Sequence, residues 1–355
     1  MSATALDTAR LERFERKMLG VLNGAAVALM TSIGHRTGLF DVMSRMQPAT
    51  SAAIAAAAGL DERYLREWLA AMVTGGVIDY DPEGASYALP REHAALLTRA
   101  ARRDNVAATC QWVPALGALE DRVLECFERG GGMPRDAFAR FHALAEEDGA
   151  AVVASLLDGV LPLVDGLSGA LERGIDVLDV GCGNGRALNH LAAAFPRSRF
   201  TGYSMSGEGV DAARAEAEEL RLGNVRFARR DAARVCHMDE FDLVTAFDTI
   251  HDHPRPDAAL RRLAGALRAD GVLLLREIAG SSHLEQDVGH PLGAFLYTFS
   301  CLHCLTVSLA AGGPALGAMW GAERARKMLH EAGLARVEVR QLPRDAAALY
   351  FVARK

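Results

Sequence analysis

Apolar residues in the first half of the chain recur every three or four positions, which is the period of an amphipathic helix. This spacing predicts helices over residues 8 to 46, and the pattern stays helical from Arg91 to about Gly169, with a break at RGGGMPRDAF (Arg129 to Phe138). The apolar positions of the first helix include Leu11, Phe14, Met18 and Leu22. So much apolar surface favours a subunit interface, and packing on the chain's own second domain is the alternative.

The pattern changes from Gly174 onward, where short apolar runs alternate with helical segments. Such alternation predicts a doubly wound parallel sheet, and the close pair of runs at the end predicts one antiparallel strand. The candidate strands are IDVLDV, RFTGYS, NVRFARRD, FDLVTAFD, GVLLLREI, RVEVRQL and LYFVARK. In sheets of this kind, ligands bind beyond the carboxyl ends of the strands.

Residues 50 to 90 carry the pattern of a winged helix. TSAAIAAAAGL predicts a helix capped by Thr50 or Ser51 and ended by Gly59, and DERYLREWLAAMVTGG predicts a second helix after Asp61. VIDYDPEGASYALP then predicts a strand, a turn and a second strand.

A winged helix often reads DNA, but the charges here oppose that function. The predicted wing carries Asp79, Asp81 and Glu83, and the arginines of the second helix stand beside acidic residues. DNA phosphates repel an acidic wing, and the net charge of -6 provides no positive surface. We therefore expect a dimerisation module and no nucleic-acid partner.

The stretch IDVLDVGCGNGRAL (Ile175 to Leu188) predicts a ligand site. A short apolar strand ends at a turn with glycines at alternate positions, which lets the backbone turn tightly and approach a ligand. The spacing G-x-G-x-G differs from the dinucleotide and triphosphate fingerprints. A nucleoside-like ligand is the functional interpretation, and a tight strand-to-helix connection is the alternative.

Length and composition set the wider frame. A chain of 355 residues that is 50% hydrophobic is long enough for two domains with buried cores. Six scattered cysteines favour a reduced, cytoplasmic protein, and the N-terminal sequence lacks the pattern of a signal peptide. Between Asp287 and Glu323 there is no charged residue. Interrupting prolines and glycines favour a buried helix lining a pocket over a membrane span.

Three motifs resemble class I S-adenosylmethionine-dependent methyltransferases: LDVGCGNG, RDAA and FDTIHD. Together with the winged helix and helical bridge they resemble the small-molecule methyltransferases that dimerise through a winged helix, and HCLTVSLAAGG with MWG looks like a bacterial subfamily of these. The resemblance implies a Rossmann-like domain of seven strands, S-adenosylmethionine as cofactor and a homodimer. The implied domains are 1–100 (winged-helix dimerisation), 101–170 (helical bridge and pocket wall) and 171–355 (cofactor binding).

The resemblance also implies cofactor-binding residues. Asp179 and the turn Gly181, Cys182, Gly183 and Gly185 would flank the methionine part of the cofactor. Asp231 and Ala232 would meet the adenine, and Phe247 and Asp248 would border the sulfonium.

The second strand of the predicted sheet, RFTGYS, ends at Ser204, which is followed by Met205. At this position the family has an acidic residue that accepts both ribose hydroxyls. A serine loses a charge-assisted contact of about 1.5 to 3 kcal/mol unless something replaces it. Glu208 is the candidate replacement for this contact. The alternatives are that the cofactor binds weakly, that the ligand is modified, or that methyl transfer has been lost.

Methyl transfer to an oxygen, nitrogen or sulfur atom needs a base near neutral pH, and histidine is suited to that task. His251 and His253 leave the fourth strand of the sheet, with Asp252 able to orient one of them. His251 is the first candidate, and a histidine that shapes the turn before Pro254 is the alternative.

The charge-free stretch supplies candidate pocket residues, namely Tyr297, His303 and Cys304, and Arg135 in the glycine loop is a fourth. Cys301 and Cys304 are three residues apart and share a helix face, but His303 lies about 100° from Cys304, so a metal site is not predicted.

The leading hypothesis is methyl transfer to a small, largely apolar molecule of secondary metabolism. Three alternatives remain: a fold reused for isomerisation or cyclisation, a ligand-responsive DNA binder, and a metal- or thiol-based function at Cys301 and Cys304.

Overall fold

The computed structural model describes residues 6–343 and 345–355, apart from 139, 142–143, 145–146, 148–152 and 154. The chain divides into two compact units, one ending at Ala118 and the other beginning at Leu119. Part of the helical pattern expected between Arg91 and Gly169 lies outside the described residues. The three-part domain division stays a prediction.

The first unit begins with a long helix, α1 (Thr8–Thr37). The Asp7 carboxylate accepts the Arg10 N–H at its start, and Gly38 ends it in the left-handed conformation that glycine adopts without strain. A short helix, α2 (Leu39–Met43), follows at once. The prediction of helix over residues 8 to 46 is therefore confirmed as far as Met43, and residues 44–46 form a turn.

The winged-helix pattern is also confirmed in the structure. Helix α3 (Ser51–Ala58) is capped by Thr50, and α4 (Glu62–Thr74) is capped by Asp61, whose carboxylate accepts two backbone N–H groups. Strands β1 (Asp79–Asp81) and β2 (Ser86–Ala88) pair antiparallel as the wing. The core beneath them contains Phe40, Leu69 and Trp68, whose Nε1–H donates to Met30 O.

The rest of the first unit is made of short helices. They are α5 (Arg91–Leu97), a 3-10 helix (Arg99–Asp104), α6 (Val106–Thr109) and α7 (Trp112–Gly117).

The second unit opens with helical segments that precede its sheet. They are α8 (Glu120–Arg129), a 3-10 turn (Arg135–Phe138), a π-helical turn (Leu156–Val160), a 3-10 turn (Leu161–Leu163) and α9 (Leu167–Arg173).

A seven-stranded sheet forms the centre of the second unit. Its strands are β3 (Asp176–Val180), β4 (Arg199–Ser204), β5 (Val225–Arg229), β6 (Phe241–Phe247), β7 (Leu267–Ile278), β8 (Arg336–Arg340) and β9 (Ala348–Arg354). The order is β5-β4-β3-β6-β7-β9-β8, and only β9 runs antiparallel to its neighbours. The predicted doubly wound sheet with one antiparallel strand is confirmed. The carboxyl ends of β3, β4, β6 and β7 therefore meet along one edge.

Helices cover the sheet because its strands are apolar on both faces. They include α10 (Arg186–Ala194), α11 (Gly207–Glu219), α12 (Pro256–Ala266) and α16 (Ala322–Glu331). The connection after β5, expected to be helical, is a single 3-10 turn (Ala232–Arg234).

The charge-free stretch forms one interrupted helical segment. It comprises α14 (Gly293–Phe299), a π-helical turn (Ser300–Cys304) and α15 (Leu305–Ala310), preceded by the short α13 (Leu284–Asp287). Gly293–Ala310 and α1 are each long and apolar enough to span a bilayer, judged by length and composition alone. Buried helices pass the same test, so this is weak evidence for a membrane span.

Candidate functional site

The glycine turn after β3 is held close to the neighbouring strand. The N–H groups of Gly181 and Cys182 both donate to Tyr203 O, at 2.7 and 3.1 Å. Gly181, Gly183 and Gly185 all have positive φ, which glycine adopts without strain.

The three glycines differ in what they face. A Cβ on Gly181 would lie 2.0 Å from Thr249 Oγ1, and one on Gly185 would lie 2.5 Å from Ala213 Cβ. Those two glycines are required by packing within the protein. Gly183 faces open space, since no described atom lies within 4 Å of its hypothetical Cβ. Gly183 is therefore where a ligand can approach the backbone.

Asp179, two residues before the turn, is a buried carboxylate. Its Oδ1 accepts a hydrogen bond from Thr245 Oγ1 at 2.7 Å. Burial raises the pKa of Asp179 to about 6, although the Thr245 hydrogen bond acts in the opposite direction. This carboxylate favours a cationic ligand, because a nearby positive charge would offset the free-energy cost of burying its negative charge.

Ser204 ends β4 at the same edge of the sheet. The side chain is buried, and its Oγ accepts the Ser206 N–H at 3.2 Å. Met205 is exposed, and Glu208 is exposed in the first turn of α11. Glu208 is thus four residues from the position that lacks a carboxylate.

Asp231, after β5, is strongly engaged within the protein. Its Oδ1 accepts from Ala233 N–H at 2.7 Å and from His253 Nε2 at 2.9 Å, and its Oδ2 accepts from Arg255 at 3.2 Å. Burial alone would raise the pKa of Asp231, but these hydrogen bonds hold it below its ordinary value. The adjacent Ala232 is buried.

His253 is part of that same network. Its Nδ1 accepts the Arg255 N–H at 2.9 Å, so its Nε2 carries the proton that it donates to Asp231. Both ring nitrogens of His253 are therefore hydrogen-bonded, and the side chain links the end of β6 to the end of β5.

Asp248, at the end of β6, adopts a positive φ of 49°, which is uncommon for a residue other than glycine. Its carboxylate forms an ion pair with Arg276 of β7, and its N–H donates to Arg276 O. Phe247 is partly buried just before it. These two contacts with Arg276 hold the backbone at Asp248, three residues before His251, in this conformation.

His251 is buried beside two carboxylates. Its Nδ1 lies 2.5 Å from Glu277 Oε2, and its Nε2 lies 3.3 Å from Asp252 Oδ1. Burial would lower the pKa of His251, but the charges of Glu277 and Asp252 raise it well above its ordinary value.

Asp252 and Cys304 complete a cluster around His251. Cys304 is buried beside both His251 and Asp252, and burial raises the pKa of its thiol to about 12. Arg135 Nη2 approaches Asp252 Oδ2 at 3.8 Å. The structure places Arg135, a predicted pocket residue, beside Asp252.

The loop that carries Arg135 packs tightly against the charge-free helix. A Cβ on Gly132 would lie 2.0 Å from Thr306 O of α15, so this approach requires glycine. The loop therefore contacts the segment that supplies Cys304.

The remaining predicted pocket residues lie on the same segment. The His303 ring stacks on Phe141 at 5.0 Å and meets the edge of Phe138 at 4.7 Å. Tyr297 OH donates to the buried Asp287 carboxylate at 2.8 Å. Cys301, half-buried on the same π-helical turn, is not in the His251 cluster, whereas Cys304 is.

Two important residues were not singled out from the sequence. Glu277 accepts from His251, from the Ile250 N–H at 3.3 Å and from Trp320 Nε1 at 3.3 Å. The pattern GVLLLREI predicts only a strand, and MWG indicates only the family resemblance. An acidic residue at the carboxyl end of a buried strand was the available indication.

Family models match each of the two units separately. Residues 25–99 match a family described as the Rv2258c-like winged HTH domain, and residues 171–333 match one described as a methyltransferase domain. This chain carries a methyltransferase domain behind a winged helix-turn-helix domain. The predicted fold is confirmed, and so is the predicted cofactor of the methyltransferase domain, S-adenosylmethionine.

Relatives of the methyltransferase domain have names that refer to several substrates, including a fatty-acid O-methyltransferase of Mycolicibacterium smegmatis and an (S)-coclaurine N-methyltransferase of Papaver somniferum. A ubiquinone biosynthesis O-methyltransferase of Actinobacillus pleuropneumoniae is 33% identical over 110 residues, covering 30% of this chain and 46% of the relative. The chain thus spans less than half the length of this curated relative.

Solved structures match over the whole chain. The mitomycin 7-O-methyltransferase structure has a TM-score of 0.70 at 21% identity and covers 98% of this chain and 100% of its own. Human N-acetylserotonin methyltransferase, solved with S-adenosylmethionine, has a TM-score of 0.70 at 16% identity, covering 100% of this chain and 99% of its own. At these identities the likeness establishes the fold.

The residues of the methyltransferase domain fit its cofactor with one exception. Gly183 leaves open space at the turn, and Asp179 provides a buried carboxylate for a cationic ligand. Ser204 provides a single hydroxyl, already engaged with Ser206, where two acceptors are needed for a ribose.

Proposed function

We propose that this protein transfers a methyl group from S-adenosylmethionine to a small, largely apolar molecule, with oxygen as the first acceptor atom to test. The proposal rests on the methyltransferase domain. In this domain the open glycine turn and the His251 cluster both follow strands at one edge of the sheet. The names of the relatives support an oxygen acceptor. Secondary metabolism and a cytoplasmic location are further parts of the proposal.

Bound at the turn, S-adenosylmethionine supplies a methyl group activated by a sulfonium. Gly183 would let the cofactor approach the backbone, and Asp179 would offset its positive charge. Asp231, Ala232, Phe247 and Asp248 are the remaining residues proposed to hold it. The protein then has to position the acceptor and remove its proton.

His251 is the proposed base, and it acts in its neutral form, which is populated mainly above its raised pKa. Since Nδ1 is held by Glu277, the proton would be taken by Nε2, which faces Asp252 and Cys304. Asp252 must leave Nε2 for an acceptor to reach it, and Arg135 offers its carboxylate a second partner at 3.8 Å. We propose that Arg135 helps to hold Asp252 away from Nε2 when the acceptor binds. The aromatic cluster around His303, with Tyr297, would form the apolar side of the pocket.

The proposal is tested by incubating the purified protein with S-adenosylmethionine and a panel of hydroxylated aromatic compounds, and measuring S-adenosylhomocysteine by mass spectrometry. We expect product with at least one acceptor and a loss of about 100-fold or more in His251→Asn, as for removal of a general base. Tyr80→Phe, on the wing of the other unit, is the matched control. Product formation that is equal in His251→Asn would contradict the role of this histidine.

We also propose a homodimer formed through α1. The helix exposes an apolar face that includes Leu11, Phe14, Met18 and Leu22. Exposed apolar surface of this extent in a soluble domain marks an interaction site. The arginines of α4 are paired with Glu62 and Glu67, which supports dimerisation over DNA binding as the task of the winged helix.

Ser204 favours a second candidate function, in which the domain holds its cofactor but catalyses isomerisation or cyclisation. Mass spectrometry of cofactor and substrate after turnover separates the two. Converted substrate without S-adenosylhomocysteine would favour this second function, and equal amounts of methylated product and S-adenosylhomocysteine would exclude it.

A further inference from the structure

The His251 cluster combines three kinds of side chain that bind transition metals. One nitrogen of His251, one oxygen of Asp252 and the sulfur of Cys304 all lie within 4.8 Å of one another, and all three residues are buried. A tetrahedral zinc ion with bonds of about 2.0 to 2.3 Å holds its ligand atoms about 3.3 to 3.8 Å apart. His251 Nε2 and Asp252 Oδ1 are already 3.3 Å apart.

An unsatisfied atom points into this cluster. Asp252 is 6% exposed, yet its Oδ1 has no hydrogen-bond partner among the described residues, since the contact with His251 lacks hydrogen-bond geometry. A buried carboxylate oxygen without a partner is costly, and a bound cation would satisfy it.

Glu277 gives His251 the support that a metal ligand needs. Metal-binding histidines almost always donate their second ring N–H to a carboxylate or carbonyl, which fixes the ring and its tautomer. His251 Nδ1 lies against Glu277, which is itself held by Ile250 N–H and Trp320 Nε1. Nε2 is thereby directed at Asp252 and Cys304.

We propose that His251 Nε2, Asp252 Oδ1 and Cys304 Sγ form a binding site for a thiophilic divalent metal ion such as Zn²⁺, with Glu277 orienting the histidine. On metal binding, Cys304 loses its thiol proton and His251 loses the proton on Nε2, both to solvent. The thiolate and the Asp252 carboxylate then match the two charges of the metal. Three protein ligands leave one position for water or a substrate atom. The site differs from the one considered in the sequence, because Cys301 takes no part.

This site has a consequence that rests on the proposed function. Nε2 is the nitrogen proposed to take the acceptor's proton, so a metal bound there removes the base. The metal-loaded protein is therefore expected to transfer methyl groups more slowly than the metal-free protein.

The test uses the full-length protein after dialysis against a chelator, titrated with Co²⁺ as the probe. We expect one Co²⁺ per chain by elemental analysis and a thiolate-to-cobalt charge-transfer band in the near ultraviolet, both removed by competing Zn²⁺. Cys304→Ser should lose the band. Cys301→Ser, three residues away on the same segment, should keep it and is the matched control.

Two further variants test the other groups. Asp252→Asn should keep the band and weaken Co²⁺ binding at least tenfold, and Glu277→Gln should weaken it by about 10- to 100-fold, as for other residues that orient a metal ligand. Asp252→Asn also serves if Cys304→Ser does not fold.

No band in the wild-type protein at millimolar Co²⁺, or the same band in Cys304→Ser, would overturn the proposal. Binding of S-adenosylmethionine to the metal-free protein is measured separately by calorimetry. Loss of cofactor binding with an intact cobalt band would count against the proposed function and leave the metal site standing.

Discussion

Ser204 is the residue at which this site departs most from what its ligand requires. One hydroxyl, already accepting the Ser206 N–H, stands where a ribose needs two acceptors. Ser204→Asp should therefore tighten binding of S-adenosylmethionine by about tenfold or more, measured by calorimetry, because charge-assisted hydrogen bonds contribute about 1.5 to 3 kcal/mol. If Ser204→Asp binds S-adenosylmethionine with unchanged affinity and Glu208→Gln binds it more weakly, Glu208 already accepts the ribose hydroxyls.

Asp179 gives the site a dependence on pH. Its pKa of about 6 means that the carboxylate is charged at pH 7 and mostly protonated at pH 5. A cationic ligand favours the charged form, so affinity for S-adenosylmethionine should fall by up to about tenfold from pH 7 to pH 5. Asp179→Asn should bind more weakly at pH 7 and lose this dependence. A wild-type affinity that is constant over this range would contradict the role of Asp179.

Individual residues were predictable from the sequence where one local rule decides them. The glycine turn, the caps at Thr50 and Asp61, and the position of Ser204 all follow from short-range patterns. The partners of His251 were not predictable, because Glu277 and Cys304 lie 26 and 53 residues away along the chain. Which of them touches the ring depends on how β6, β7 and the charge-free segment pack.

At the scale of elements, the loop carrying Arg135 is held against α15. Gly132→Ala would place a Cβ 2.0 Å from Thr306 O, so the loop or the helix must shift. We expect a loss of about 1 to 3 kcal/mol and a fall in Tm of about 2 to 10 °C. The displacement of Arg135 from Asp252 should also slow methyl transfer.

Differential scanning calorimetry measures this change. Gly117→Ala is the control, because no described atom lies within 4 Å of a Cβ at that position. If Gly132→Ala melts at the same temperature as the wild-type protein, the close approach of loop and helix is not the reason for the glycine.

The π-helical turn at Ser300–Cys304 shows where prediction of elements reaches its limit. The sequence predicts a helix here, and the apolar run alone cannot distinguish i→i+4 from i→i+5 hydrogen bonding. Such turns are often found at functional sites. Here the turn contains both cysteines, and Cys304 is the one that lies beside His251.

At the scale of the whole molecule, the exposed apolar face of α1 is expected to be covered by a second copy of the chain. Phe14 and Leu22 lie on this apolar face, and their side chains are 58% and 67% exposed. The double variant Phe14→Glu/Leu22→Glu should convert a dimer into a monomer, because charged residues at the centre of an interface are strongly unfavourable. Light scattering coupled to size-exclusion chromatography gives the mass of each form.

Phe127→Ser is the control, since it removes an apolar side chain that is 74% exposed from the other unit. A wild-type protein with the mass of a monomer would refute the dimer. A double variant with the mass of a dimer would place the interface elsewhere on the chain.

The central claim is that S-adenosylmethionine binds at the glycine turn of the methyltransferase domain. Calorimetric titration of the wild-type protein and of Gly183→Ala tests it most directly, because Gly183 is the glycine of the turn that faces open space and has a positive φ. Gly223→Ala, at a site with no described atom within 4 Å, is the control. We predict one cofactor per chain for the wild type and the control, and at least tenfold weaker binding for Gly183→Ala. Absence of binding by the wild-type protein, or equal affinity in Gly183→Ala, would contradict the account.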